Sequence, residues 1–286
     1  MMLCHYFITL RCNDTCEFCL IWQNEEYSKI EERPVDLSLF PRWGITELNV
    51  TGGEPLLRHD LPEILKQAKQ LGLKTYLTTN GILYSEKAQE LKGLIDELCF
   101  SLDYPLPELH NRCRGEECFD LVLQGLKIAK QLKERPIINF TMTRDSVMYL
   151  PEMVELAGTF GVMIKLTPVY DFSGTQGFER GTFAHINYYA RQRHVLVNLA
   201  QLAMVKDLGN KTSLPRCRAE QTTATFLPDG RRVKPCLFNQ EGVAGRGTPC
   251  SSCMRWDYML PSFSLGFDKY YWLNRYSDYI NWRKMK

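Results

Sequence analysis

Three cysteines near the start of the chain have a spacing that points to chemistry. Cys12, Cys16 and Cys19 form the pattern C-x3-C-x2-C on one short stretch. A structural zinc site takes four ligands in a closed tetrahedron. Three thiols on one loop can instead hold three corners of a 4Fe-4S cube and leave the fourth iron open. An open iron can bind the amino and carboxylate groups of a methionine, which is the arrangement needed to cleave S-adenosylmethionine (SAM) by one-electron reduction.

A second motif, Gly52-Gly53-Glu54-Pro55, follows the second predicted strand. Glycines at such a turn let the backbone approach a ligand closely. This motif, the cysteine pattern and the aromatic Phe18 just before the third cysteine together resemble the radical SAM superfamily. The resemblance implies that Phe18 lies against the adenine of SAM, and that Gly53 and Glu54 contact its amino group.

The rest of the first half alternates between strand and helix patterns. We predict strands over 5–10, 47–51, 74–79, 98–103, 137–143 and 162–166, and helices within 22–43 and over 61–71, 85–94, 117–133 and 149–160. The alternation predicts an α/β fold with a parallel sheet, and six units are too few for a closed eight-stranded barrel. The resemblance adds an open (β/α)6 partial TIM barrel, with its active site at the carboxyl ends of the strands.

The resemblance also implies four further SAM contacts. Thr79 matches a third-strand contact, and Ser101 matches a residue that reaches the ribose or methionine part. Arg114 matches an arginine that pairs with the SAM carboxylate, for which a bidentate guanidinium is suited. Thr167 matches a sixth-strand contact to adenine. The alternatives are strand-end capping for the three hydroxyl residues and a surface ion pair for the arginine.

Cys113 and Cys118 lie beside this arginine, and relatives usually carry glycine at the second of these positions. One interpretation is a hydrogen-atom donor or a redox pair near the substrate. The other is a pair of thiols without a chemical role.

A second group of cysteines lies near the end of the chain. Its members are spaced C-x18-C-x13-C-x2-C and are Cys217, Cys236, Cys250 and Cys253. A hairpin pattern, 224–227 and 232–234 around Pro-Asp-Gly, stands between the first two. The block resembles the twitch domain, the short form of the SPASM domain, although five residues rather than four separate Gly230 from Cys236. The resemblance implies an auxiliary 4Fe-4S cluster held by four cysteines, which would move electrons; a four-cysteine zinc ribbon is the alternative.

These patterns predict three segments. Residues 1–175 form a radical SAM core, 176–214 a helical connector, and 215–286 a twitch-like iron–sulfur domain with an aromatic C-terminal helix. Within the connector, 183–208 is helical in two runs broken near 191–193. The aromatic C-terminus either closes the barrel or forms a surface for a membrane or a lipid substrate.

Composition excludes several classes of protein. The 286 residues are 44% hydrophobic and 24% charged, with a net charge of +2, so no strong attraction to nucleic acid or to an anionic membrane is expected. Seven of the eleven cysteines fall into the two clusters, which indicates metal ligation in a reducing compartment, and hence a cytoplasmic protein. No signal peptide and no membrane span are predicted.

The resemblance implies a radical SAM enzyme of the oxidoreductase or transferase type. Its 5′-deoxyadenosyl radical would remove hydrogen from an unactivated C–H bond of a small molecule, in a net oxidation assisted by the auxiliary cluster and a flavodoxin- or ferredoxin-type electron donor. A peptide- or protein-modifying enzyme is the second hypothesis, less favoured because only eleven residues precede Cys12. A non-catalytic iron–sulfur electron carrier or scaffold is the hypothesis from another class.

Overall fold

The structure is a computed structural model that describes residues 2–169, 178, 180–207, 217–235, 253 and 255–286. The chain divides into two compact units. The first comprises Met1–Ile138 with Thr223–Lys234, and the second comprises Asn139–Thr222 with Pro235–Lys286. Within the described residues, no helix is both long enough and apolar enough to cross a lipid bilayer.

The first unit is built on a sheet of six strands. In chain order they are β1 (Met2–Thr9), β2 (Ile45–Gly52), β3 (Lys74–Thr79), β4 (Glu97–Ser101) and, after the segment that belongs to the second unit, β8 (Thr223–Phe226) and β9 (Arg232–Val233). Their order across the sheet is β4-β3-β2-β1-β8-β9. All neighbours are parallel except the β8–β9 hairpin. The carboxyl ends of β1 to β4 therefore meet at one edge, where the cysteine loop, the glycine motif, Thr79 and Ser101 lie.

Helices connect these parallel strands. They are α1 (Glu25–Ser28), α2 (Leu61–Gln70), α3 (Tyr84–Leu91), α4 (Pro107–Arg114) and α5 (Phe119–Gln131). Helix α2 buries Leu61, Ile64, Leu65 and Ala68, the spacing of one apolar helix face. Strand β1 is central and its last six residues are all buried, as expected of a strand covered on both sides.

The second unit contains three strands in the order β7-β6-β5, of which β6 and β7 pair in parallel. They are β5 (Ile137–Met142, which begins at the end of the first unit), β6 (Met163–Pro168) and β7 (Val195–Val197). Its helices are α6 (Leu150–Phe160), α7 (Arg180–Tyr189), α8 (Leu199–Lys206), α9 (Ala219–Thr222), α10 (Trp256–Met259) and α11 (Lys269–Met285). An apolar cluster that includes Ala200, Met204 and Phe263 joins α8 to the segment before α11.

The structure confirms the α/β class and the six predicted strands. Three features differ from expectation. Strand β7 follows the predicted break near 191–193, helix α4 fills a segment assigned no helix, and the predicted helix within 22–43 is only the single turn α1 with short 3-10 turns. The predicted hairpin is present, but β8 pairs in parallel with β1 in the first unit. The compact units thus follow other boundaries than the three predicted segments, which stay a prediction.

Candidate active site

The cysteine loop begins directly after β1, at the carboxyl end of the sheet. Cys16 is buried, and Cys12 and Cys19 are half-buried. The loop is stiffened from within, because the Cys19 amide donates to the Cys16 carbonyl at 3.1 Å and the Trp22 indole donates to the same carbonyl at 2.9 Å. None of the three thiols is in a disulfide.

The end of α4 holds the middle of this loop. The Thr15 amide donates to the Arg114 carbonyl at 2.9 Å, and the Glu17 amide donates to the Cys113 carbonyl at 3.0 Å. Carbonyls in the last turn of a helix have no partner within the helix, so they are available to a neighbouring segment. The position of the cysteines therefore depends on where α4 ends.

The glycine motif holds the start of the loop. The Gly53 amide donates to the Thr9 carbonyl at 3.0 Å, and the Glu54 amide donates to the Arg11 carbonyl at 2.9 Å. A Cβ atom on Gly53 would stand 1.9 Å from the Arg11 carbonyl oxygen, and one on Gly52 would stand 1.9 Å from that of Thr9. The sequence suggested close approach to a ligand; the structure shows that these glycines first allow close approach between two stretches of backbone.

The Glu54 carboxylate is buried and accepts three hydrogen bonds. Its donors are the Leu56 amide at 2.9 Å, the Thr79 hydroxyl at 2.8 Å and the Asn80 amide at 2.8 Å. The Asn80 side chain donates in turn to the Asn13 side chain of the cysteine loop at 2.8 Å. Burial raises the pKa of Glu54 to about 7, against the three hydrogen bonds, which lower it.

Glu54 should make the stability of the apo-protein depend on pH. Its pKa in the folded chain, about 7, is above the ordinary glutamate pKa of 4.5, so the folded state binds more protons between these values. The contribution is fully present below about pH 4.5 and is lost as the pH rises through 7, a change of about 3 kcal/mol at 1.36 kcal/mol per pKa unit. Urea unfolding at pH 5, 6, 7 and 8 measures this decline.

Glu54→Gln is the control for this pH dependence. The variant does not titrate at this position, so the decline in the free energy of unfolding between pH 5 and 7 should become shallower by the amount that Glu54 contributes. Equal slopes in the two proteins would contradict the assignment.

Arg114 is buried rather than at the surface, so the alternative of a surface ion pair is wrong. Its guanidinium donates to the Asp103 carboxylate and, at 3.5 Å, to the Cys16 sulfur. Asp14 lies 3.9 Å from the same guanidinium. Asp14 Oδ1 and Arg114 Nε are buried without a hydrogen-bond partner among the described residues. Pairing of Arg114 with a SAM carboxylate stays a prediction.

Of the other predicted SAM contacts, three lie in the first unit and one lies in the second unit. The Phe18 ring lies under the Arg114 guanidinium, 5.4 Å from its central carbon to the ring centroid, and Ser101 is buried at the end of β4. Thr79 accepts from the Gly81 amide at 3.0 Å, which is the strand-end capping considered above. Thr167 is in the second unit, where its hydroxyl donates to Asn139 at 2.7 Å. Contacts to SAM stay predictions for all four residues.

The donor set of the loop fits an iron–sulfur cluster. Three thiolates are soft ligands that suit iron–sulfur clusters, and the unpartnered polar atoms of Asp14 and Arg114 lie beside Cys16, where a bound polar group would find partners. Burial raises the pKa of Cys12 and Cys16 to about 12, so both are neutral thiols without a metal. Across the described ranges, no group of three or more histidine, cysteine or acidic side chains has a geometry that could hold a metal ion.

Cys113 and Cys118 are both buried, and burial raises the pKa of each to about 12. Neutral buried thiols react poorly with disulfides and oxidants. This favours the interpretation in which they have no redox role.

The second cysteine group is described only in part. Cys217 packs against the apolar cluster of the second unit, and the Arg255 amide donates to the sulfur of the buried Cys253 at 3.4 Å. Cys236 and Cys250 lie outside the described residues. The auxiliary cluster therefore stays a prediction.

Three residues that organise the site were not among the predicted ones. Asp103 anchors Arg114, Asn80 links the Glu54 network to the cysteine loop, and His110 accepts from the Asp103 amide at 3.2 Å. Burial lowers the pKa of His110 to about 3, so its ring is neutral. Polar residues directly after apolar strands were the available signal for Asp103 and Asn80. The signal for His110 was its place in the pattern His-x-x-x-Arg-Gly that ends at Arg114 and Gly115.

Solved structures share this fold. Streptococcus suis SuiB bound to S-adenosylmethionine superposes with a TM-score of 0.63 at 18% identity, over 83% of this chain and 58% of SuiB. The protein anSMEcpe with bound AdoMet superposes with a TM-score of 0.57 at 16% identity, over 96% of this chain and 88% of its own. These likenesses support the partial-barrel architecture and extend to the fold alone.

Curated relatives share more of the sequence than these solved structures do. A protein named "Probable GTP 3′,8-cyclase" from Sulfurisphaera tokodaii is 31% identical over 82% of this chain and 80% of its own length. One of the same name from Methanocaldococcus jannaschii is 25% identical over 85% of this chain and 87% of its own. The family model described as "Radical SAM superfamily" matches residues 6–156, which include the cysteine loop, the glycine motif and α4. The chain therefore belongs to the radical SAM superfamily and is a radical SAM enzyme.

Proposed function

We propose that this enzyme cleaves SAM reductively and uses the 5′-deoxyadenosyl radical to remove a hydrogen atom from a small molecule, with the nucleotide GTP as the first candidate. The sequence alone favoured a small molecule but left its class open. Relatives that match over four fifths of this chain are named as cyclases of GTP. Their name describes ring formation, so we propose a radical cyclisation in place of the net oxidation expected from the sequence.

One observation carries the proposal. The cysteine loop is held by backbone hydrogen bonds from two independent elements, the glycine motif after β2 and the last turn of α4. A loop that only joined a strand to a helix would not need hydrogen bonds from both of these elements. Fixing the loop from two sides keeps three thiols at the carboxyl edge of the sheet, where parallel α/β enzymes bind their ligands.

The residues of the loop and its surroundings would hold the cofactors. Cys12, Cys16 and Cys19 would ligate a 4Fe-4S cluster, which with SAM supplies the 5′-deoxyadenosyl radical when both are bound. Gly53 and Glu54 would face the SAM amino group. Arg114 donates to the Cys16 sulfur in the structure and would neutralise part of the negative charge that three thiolates bring. Phe18 offers an aromatic face for adenine.

A second cluster is part of the proposal. Cys217, Cys236, Cys250 and Cys253 would hold an auxiliary 4Fe-4S cluster, as the number and spacing of their thiols allow. Iron analysis of anaerobically reconstituted protein should then give eight irons per chain, and about half of that in Cys236→Ser with Cys253→Ser. Unchanged iron in this double variant would exclude the auxiliary site.

The decisive experiment measures 5′-deoxyadenosine. Reconstituted protein is incubated anaerobically with SAM and dithionite, with GTP, with ATP, or with neither. We expect GTP to raise the yield of 5′-deoxyadenosine and to be consumed, and Cys16→Ser to reduce the yield to background. Cys113→Ser is the matched control, because this thiol is also buried beside Arg114 but is not a proposed ligand.

The outcomes separate the hypotheses. A yield that rises with ATP but not with GTP, or with neither, would reject GTP as the substrate while leaving SAM cleavage intact. A yield that rises only with a peptide would support the peptide-modifying alternative. No 5′-deoxyadenosine at all, with a full complement of iron, would support the electron carrier or scaffold.

A further inference from the structure

Exposed apolar side chains are concentrated at the end of the chain. Of the twelve large hydrophobic side chains exposed in the described part of the protein, seven lie within residues 265–285: Leu265, Phe267, Trp272, Tyr276, Tyr279, Trp282 and Met285. Phe267 is 88% exposed and Trp272 is 63% exposed. Single exposed hydrophobic residues need no explanation, but a concentration of this size in one segment indicates an interaction surface.

Helix α11 is held against the protein by polar side chains along its middle and end, while Tyr270 and Leu273 near its start pack on the apolar cluster. The Asn281 side chain bonds both the amide and the carbonyl of Val197, at 3.3 and 2.8 Å. Ser277 accepts from the Leu199 amide at 2.8 Å, and Lys284 donates to two carbonyls of the second unit at 2.5 and 2.7 Å. These bonds fix which side of the helix faces the protein, and they leave Trp272, Tyr276 and Tyr279 exposed on the outward side.

The outward side combines aromatic and basic residues. Trp272, Tyr276 and Tyr279 follow one another at intervals of four and three residues, and Arg283 and Lys286 continue the same spacing. Such spacing places side chains on one helix face. The Arg283 guanidinium lies 5.8 Å from the Tyr279 ring centroid, and the Lys286 ammonium lies 3.6 Å from that of Trp282. Rings and cations are therefore in contact at the end of the helix.

The charge of this surface is locally basic. Residues 268–286 contain five basic side chains and two acidic ones, a net charge of +3, whereas the whole chain carries +2. The remainder of the protein is thus close to neutral. Lys284 faces the protein and Lys269 is paired with Asp207, so the cations left for the outward side are Arg275, Arg283 and Lys286, with Asp278 as an exposed acidic neighbour. The small net charge of the whole chain argued against attraction to a membrane, but it does not show that basic residues are concentrated in this segment.

We propose that the outward face of α11 binds the surface of an anionic lipid bilayer. Tryptophan and tyrosine rings favour the interface between headgroups and hydrocarbon, where an apolar ring and a polar edge are both satisfied. Basic residues beside them are attracted to anionic headgroups. The helix lies along the surface, since no described helix can span the bilayer. Pairing of this face with a second copy would bring two sets of arginine and lysine together, which charge repulsion opposes.

Vesicle binding tests the proposal. The reconstituted full chain is mixed with vesicles of phosphatidylcholine, and with vesicles of phosphatidylcholine mixed equally with phosphatidylglycerol; co-sedimentation and tryptophan fluorescence are measured. We expect binding to the anionic vesicles, weakened by salt, and a blue shift in emission. Trp272→Gln with Tyr279→Gln should weaken binding by about tenfold or more, and Arg283→Gln with Lys286→Gln by about fivefold per charge.

Tyr188→Gln is the matched control, because Tyr188 is 62% exposed on another helix of the second unit and should leave vesicle binding unchanged. All variants should keep the thermal stability and the 5′-deoxyadenosine yield of the parent, so failure here is separate from failure of the proposed activity. Three results would each overturn the proposal. The protein does not bind anionic vesicles, it binds only single-stranded RNA in a salt-sensitive way, or it forms a dimer that the aromatic variant dissociates.

Discussion

Asp103→Ala should lower the free energy of unfolding of the apo-protein by about 3 kcal/mol, since removing one partner of a buried ion pair leaves the other charge uncompensated. The Asp103 carboxylate is fully buried and accepts from the Arg114 guanidinium, which is itself only 6% exposed. Asp14, 3.9 Å from the same guanidinium, offsets part of the loss. Urea unfolding under reducing conditions measures the change.

The same substitution should reduce iron incorporation. Arg114 is the last residue of α4, and its carbonyl accepts from the Thr15 amide of the cysteine loop. A shift of the buried guanidinium therefore moves the support of the loop. Iron per chain after anaerobic reconstitution is the readout, and it is independent of any substrate.

Two comparisons make this prediction specific. Asp145→Ala removes an exposed aspartate and should change stability by no more than about 0.5 kcal/mol. Asp103→Leu combined with Arg114→Met removes both members of the pair and should recover part of the stability lost in Asp103→Ala, because neither of these two charges is then buried without the other. The recovery is incomplete because the buried Asp14 also loses this guanidinium. Iron content in the double variant should stay low if Arg114 supports the loop through its side chain. Equal stability of Asp103→Ala and Asp145→Ala would show that the ion pair contributes nothing.

The repeated strands and helices of the chain were predictable because their signals are local. The third strand, 74–79, has the predicted bounds, and α2 has the apolar spacing that predicted it. An apolar face must be buried whatever covers it, so its period alone indicates the element. Strand β8 illustrates the limit. Its four residues indicated a hairpin with β9, but their parallel pairing with β1 joins segments some two hundred residues apart and has no local signal.

The residues of the site likewise divide into those that local sequence predicts and those that it does not. The cysteine pattern and the glycine motif located the loop and the turn, because their chemistry depends on residue type and spacing. The partners of the polar residues were not predictable. Arg114 was expected at a ligand or at the surface, and it lies in a buried pair with Asp103. Thr79 was expected at SAM or as a cap, and it bonds Glu54 as well as the Gly81 amide. Such partners depend on which strand ends meet in the folded chain.

Gly53→Ala should be among the most damaging single substitutions in the first unit. The added Cβ would stand 1.9 Å from the Arg11 carbonyl oxygen and 2.4 Å from its carbon, and both atoms belong to the backbone. Relief requires the end of β2 to separate from the stretch between β1 and Cys12, which breaks the Glu54–Arg11 and Gly53–Thr9 backbone hydrogen bonds. We expect a loss of about 3 kcal/mol or more in the free energy of unfolding.

Gly181→Ala is the matched control, because no atom of the described residues lies within 4 Å of an added Cβ there. This glycine is in α7, where alanine should be neutral or stabilising by up to about 1 kcal/mol. Thermal unfolding followed by circular dichroism compares the two variants, and iron per chain after reconstitution shows whether Gly53→Ala also displaces the cysteine loop. If Gly53→Ala unfolded like the parent and took up full iron, the close backbone approach would not be what requires glycine, and contact with a bound ligand would be the remaining reason for it.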